Sequence, residues 1–121
     1  MPLVQVDLER GLAQRLGSQI SSGIHEALVE ALGMAPDDKF QVFRTHPADE
    51  LVFDAGYNGV DRRHLVSIQI LMVRMYDTAT KYRLFDVIAE RLRGLGVRPE
   101  DLLISVVENG VEDWYAGRSR T

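Results

Sequence analysis

The chain has 121 residues, no cysteine, one tryptophan and three histidines. Without cysteine there is no disulfide, no thiolate nucleophile and no cysteine metal site. His25, His46 and His64 stand far apart, and none belongs to a metal-ligating spacing such as HExxH. Positive charge is not in excess either. Fourteen Lys and Arg face eighteen Asp and Glu, for a net charge of −4. That balance argues against a protein that binds nucleic acid through its phosphates. No apolar run reaches membrane-spanning length, so no membrane partner is expected. The amino terminus lacks a basic stretch followed by an apolar one, and a cytoplasmic location is the expectation.

The remaining composition is that of a globular domain. Hydrophobic residues make 45% and charged residues 26%, enough for a single domain, residues 1–121, with one core. Within it the chain repeats itself. Leu32-Gly33-Met34-Ala35-Pro36-Asp37-Asp38 is echoed by Leu95-Gly96-Val97-Arg98-Pro99-Glu100-Asp101. The paired glycines, prolines and second acids each stand 63 positions apart. Two copies are too few for a solenoid, and a duplicated βαβ unit fits better. The units run over about residues 2–45 and 64–108.

Each unit reads as strand, helix, strand. In the first, Pro2–Leu8 is a strand. Leu16, Ile20, Ile24, Leu28 and Leu32 then mark a helix at four-residue steps. Gly33 suits the left-handed position past a helix end, and Pro36 blocks further helix. Phe40–Arg44 is the second strand. In the second unit, Leu65–Val73 is almost wholly apolar and reads as a strand buried on both faces. Asp77 is an N-cap. Leu84, Phe85, Ile88, Leu92 and Leu95 give the helix stripe, Gly96 caps it, and Leu102–Val107 is the last strand.

Right-handed crossovers make each strand pair parallel. The result is an α/β fold: a four-stranded mixed sheet with two helices on one face. The other face would be too apolar for water, which predicts an oligomer. The segment His46–Arg63 reads as a loop with an extended piece at Leu51–Phe53. The tail Val111–Thr121 carries Trp114 and Tyr115 and needs a surface to cover.

Chemistry gathers at the amino terminus. Initiator methionine is trimmed before a small residue, and Pro2 qualifies. Pro2 would then carry a free secondary amine. An α-amino group titrates near pH ~8. An apolar pocket lowers that value and a carboxylate raises it, so one residue can serve as base or acid.

A Met-Pro strand on a duplicated βαβ chain resembles the tautomerase superfamily, and most of all its malonate semialdehyde decarboxylase branch. The resemblance covers nearly the whole chain. It includes Met1-Pro2-Leu3, Asp7-Leu8, Ala35–Gln41, His46-Pro47, Asn58-Gly59 and a strand ending in Arg74. It continues through Pro99-Glu100-Asp101, Glu108-Asn109-Gly110, Asp113-Trp114 and Gly117-Arg118. The resemblance implies a homotrimer acting on a small carboxylate substrate, an oxo acid or its enol, with no metal and no organic cofactor.

It also implies site residues. Pro2 matches the catalytic proline. Arg74 matches an arginine that holds the substrate carboxylate, for which a guanidinium offers a bidentate fork. Asp38 matches the acid near the proline, and Trp114 matches part of the pocket wall. Tyr76 stands where the decarboxylase branch has a second arginine. Tyrosine donates one hydrogen bond and supplies no charge, which counts against decarboxylation and leaves tautomerase chemistry less affected. The haloacrylate-dehalogenase branch uses a histidine where this chain has Leu28 or Val29, which argues against dehalogenation. The leading expectation is enol–keto isomerisation of a small 2-oxo acid with Pro2 as base. The alternatives are decarboxylation of malonate semialdehyde by a cationic Pro2, and a trimeric binding protein without catalysis. Of the histidines, His25 reads as an ordinary helix residue, and His46 and His64 as loop residues.

Overall fold

The computed structural model describes residues 2–119. The expected trimming of Met1 and the last two residues of the tail fall outside them. The sheet has four strands: β1 (Leu3–Glu9), β2 (Gln41–His46), β3 (Val66–Val73) and β4 (Leu102–Asn109). Two helices, α1 (Arg10–Leu32) and α2 (Thr78–Arg93), connect them. The order across the sheet is β2-β1-β3-β4. β1 pairs with β2 in parallel and β3 with β4 in parallel. The two units meet antiparallel at the centre, with Leu3 opposite Leu71 and Val6 opposite Ile68. This is the expected duplicated mixed sheet.

Alternation along the strands decides the core. Val4, Val6 and Leu8 of β1 and Val66, Ile68, Ile70 and Met72 of β3 are buried. They meet Ile20, Ile24, Ala27 and Leu28 of α1 and Leu84, Ile88 and Leu92 of α2 in one cluster, so both helices cover the same face. The sequence spacing placed most of these residues correctly. Leu16 and Leu32 are only partly buried at its edge.

The helix ends follow from their residues. Gly33 has φ 68° and donates its N–H to Val29 O, the left-handed cap that glycine adopts without Cβ strain. At α2 the Asp77 side chain accepts the Thr80 N–H at 2.8 Å. Its far end closes as anticipated at Gly96, where φ is 94°. Gly96 N–H donates to Arg93 O and Val97 N–H to Leu92 O, the paired bonds of a Schellman motif. The repeat is visible in the turns too. Asp38 N–H donates to Ala35 O, and Asp101 N–H to Arg98 O, at the same offset.

Three expectations need correction. β3 is buried on one face only: Ser67, Gln69, Leu71 and Val73 are half-exposed on the other. An apolar composition does not reveal which face a helix covers, and serine and glutamine recur at every second position. The open face is therefore mixed. Leu3, Leu71 and Val107 form an apolar row across it, beside Gln5, Asp7, Arg44 and His46. His46 is the last residue of β2, not a loop residue. Its Nε2 lies 2.8 Å from Asp7 Oδ1, and this partner on β1 extends the strand. Leu51–Phe53 forms no strand. That connection is held instead by Arg62, whose guanidinium donates to the carbonyls of Asp54 and Tyr57.

Candidate active site

One end of the sheet collects nearly all the residues singled out from sequence. β1 starts where β3 ends, because the two run antiparallel. Pro2 is buried at that start. It lines a small pocket with Leu32, Met72, Val73, Met75 and Tyr76. The lining side chains are apolar except that of Tyr76. Tyr76 is half-buried and packs against the core, so the residue in the second-arginine position faces the same space as Pro2.

Asp38 reaches this end through the backbone. Val4 N–H donates to Phe40 O at 3.0 Å, so Asp38-Lys39-Phe40 runs alongside the start of β1. Asp38 is half-buried there. Its counterpart in the second unit has diverged. Asp101 is 4% exposed and accepts N–H bonds from Arg63 and His64 at the far end of the sheet. One repeated acid thus ties a loop to the core, and the other belongs to the segment beside the start of β1.

Arg74 directly follows β3, flanked by Val73 and Met75 of the pocket. Its N–H donates to Asn109 O, while its side chain is 80% exposed. Asn109 also accepts the Trp114 indole N–H on Oδ1 at 2.8 Å. The Gly110–Asp113 turn that carries Trp114 is closed by Gly110 N–H bonding to Asp113 Oδ2. Asn109 therefore links Arg74 to Trp114. The structure brings Pro2 and Tyr76 into direct company, with Asp38, Arg74 and Trp114 on the surrounding chain ends.

Sequence reasoning missed a charged pair beside Arg74. Glu108 Oε1 lies 2.8 Å from Lys81 Nζ and 3.6 Å from Arg74 Nη2. The hydrogen bond from Lys81 holds the Glu108 carboxyl below its usual range, against an opposing contribution from burial. Glu108 stands opposite Met72 of the pocket lining. Nothing in the sequence joins Lys81 to Glu108, since they belong to different elements. Among the described residues, no group of three His, Asp or Glu could hold a metal ion. The three histidines have structural partners. His25 meets Pro36 O, His46 meets Asp7 and His64 meets Glu9.

Two parallel strand pairs joined antiparallel, with a buried proline opening the first strand at the end of the third, define a tautomerase-like scaffold. The chain belongs to the tautomerase family. Family models described as tautomerase enzyme match residues 38–117 and residues 2–56. The Bacillus subtilis (strain 168) protein named "Probable tautomerase YusQ" is 34% identical over 99% of this chain and 96% of its own. Among solved structures, FG41 malonate semialdehyde decarboxylase inhibited by 3-bromopropiolate is 28% identical. It covers 98% of this chain and 91% of its own, with a TM-score of 0.91. A second malonate semialdehyde decarboxylase, studied for its decarboxylase and hydratase activities, is 27% identical. It covers 98% of this chain and 92% of its own, with a TM-score of 0.87.

Proposed function

We propose that the chain is a cofactor-independent isomerase that converts the enol of a small 2-oxo acid to its keto form, with Pro2 as the base. The observation that carries this reading is the burial of Pro2 in a small pocket lined by apolar side chains and Tyr76, two of which, Val73 and Met75, flank Arg74 in the chain. Once Met1 is removed, an amine in that lining is held toward its neutral form, because desolvation disfavours the cation. The positive charges of Arg74 and Lys81 act in the same direction, and Asp38 opposes them. The neutral nitrogen takes the proton of the enol hydroxyl and returns a proton to the adjacent carbon. Arg74 holds the carboxylate. Tyr76 donates a hydrogen bond to an oxygen of the substrate, and Trp114 walls the site. The enzyme acts in the cytoplasm as a homotrimer, packed through the half-exposed apolar row of the sheet.

A second reading is release of carbon dioxide from malonate semialdehyde. It is favoured by the likeness to the two decarboxylases and requires a cationic Pro2. Tyr76 weighs against it, since one carboxylate-orienting charge is missing. A paired assay separates the readings. The native chain should isomerise phenylenolpyruvate and release little carbon dioxide from malonate semialdehyde. Pro2→Ala should lower isomerisation by about 10²–10⁴-fold. Unchanged turnover in Pro2→Ala would remove the proline from the mechanism. No turnover of either substrate by the native chain would leave a binding protein on this scaffold.

A further inference from the structure

We propose that Glu108 and Lys81 act together as positioning residues for Arg74, tethering its guanidinium at the Pro2 pocket without neutralising it. This rests on the reading of Arg74 as the carboxylate-binding residue. Lys81 lies in α2 and Glu108 in β4, and neither is given a contact with the substrate above. The geometry divides Glu108 unequally. Lys81 Nζ holds Oε1 at 2.8 Å, a charge-assisted hydrogen bond. Arg74 Nη2 approaches the same oxygen only to 3.6 Å, beyond hydrogen-bond reach. The carboxylate is thus committed to lysine and merely attracts the arginine.

Exposure supports the same division. The Glu108 and Lys81 side chains are 16% and 24% exposed, while that of Arg74 is 80% exposed. The inner pair is fixed in the structure and the outer cation faces solvent, where an anionic substrate arrives. Two cations and one anion leave one net positive charge at the site. A Glu108 paired with Arg74 alone would cancel that charge and compete with the substrate carboxylate for the same fork. The other Glu108 oxygen, Oε2, is buried with no hydrogen-bond partner among the described residues. Such a group costs stability, which weighs against a purely structural reason for this carboxylate.

The test compares phenylenolpyruvate with its methyl ester in the native chain, Glu108→Gln and Lys81→Met. The ester lacks the charge Arg74 would hold. The acid-to-ester ratio of kcat/KM should fall about tenfold in each variant, the scale of one misplaced charged contact. Glu108→Gln makes the site more positive, so long-range attraction alone predicts that its ratio rises. A role in folding alone moves both substrates together and leaves the ratio unchanged. Either of those outcomes overturns the proposal. The Arg74 Nε–H resonance, followed by NMR, judges the tether without turnover. The order parameter of that N–H should fall in Glu108→Gln, as the attraction that confines the guanidinium is lost, and an unchanged order parameter overturns the tether. A native chain that turns over neither substrate would refute the isomerase reading, while this resonance still decides the tether.

Discussion

Asp7 sits on the open face of the sheet between Arg44 and His46. Arg44 grips it with two bonds, at 3.0 and 2.9 Å, and His46 adds a third contact. The Arg44 bonds, joined by His46, hold its carboxyl below the ordinary aspartate value of 3.8, and burial opposes them. A carboxyl depressed in the folded state favours folding above its unfolded pKa. That contribution disappears as pH falls through the folded value. The urea midpoint of the native chain should therefore drop as pH falls below about 5 more steeply than that of Asp7→Asn, and the two curves should converge in acid. Parallel curves would mean that the Asp7 cluster contributes nothing. Sequence revealed little at this scale. Asp7 was visible only as part of a family-like stretch, because its partners lie 37 and 39 positions away on β2. Glu108 and Lys81 escaped for the same reason. Pro2 stood out from its place after Met1, whereas Arg74 and Tyr76 were marked only by the resemblance to the decarboxylase branch.

The helices show a second limit of reading from sequence. Four-residue steps identified the buried stripe of α1, but they did not show where α2 crosses it. Gly23 marks that crossing. It is buried, and a Cβ there would lie 3.2 Å from Leu92 Cδ2. Gly17 lies six residues earlier, where a Cβ would meet only Ala13 Cβ at an ordinary 3.9 Å. The two positions should respond oppositely. Gly17→Ala should stabilise by about 0.5–1 kcal/mol through helix propensity. Gly23→Val should destabilise by about 1–3 kcal/mol through overpacking. Chemical denaturation measures both, and a neutral Gly23→Val would show that the helices separate freely. The strand edges were harder to read than the helix stripes. β2 runs to His46 instead of stopping at Arg44, because its pairing with β1 continues through Glu9.

The 63-residue repeat foretold the whole molecule most fully, down to matching turn hydrogen bonds. It could not foretell that the open face carries Gln5, Asp7, Ser67 and Gln69 among its apolar residues. The case for assembly therefore rests on the row Leu3, Leu71 and Val107, with Val42 and Leu103 on the same side, rather than on the whole face. Val107 is 42% exposed, and this apolar surface needs cover. The native chain should sediment as a trimer, and Leu71→Asp should shift it to monomer. A native monomer would leave the row unexplained. Duplication also explains the site. Joining two βαβ units antiparallel brings the start of β1 to the end of β3, and so Pro2 to Met72, Val73, Met75 and Tyr76. The protonation state of Pro2 is the point on which the proposed chemistry turns. A nitrogen-15 NMR titration of the Pro2 amine, on protein shown by mass to lack Met1, measures it directly. The isomerase account predicts a pKa well below the ordinary α-amino value of about 8. A value at or above about 8 would make Pro2 a cation at neutral pH and contradict it.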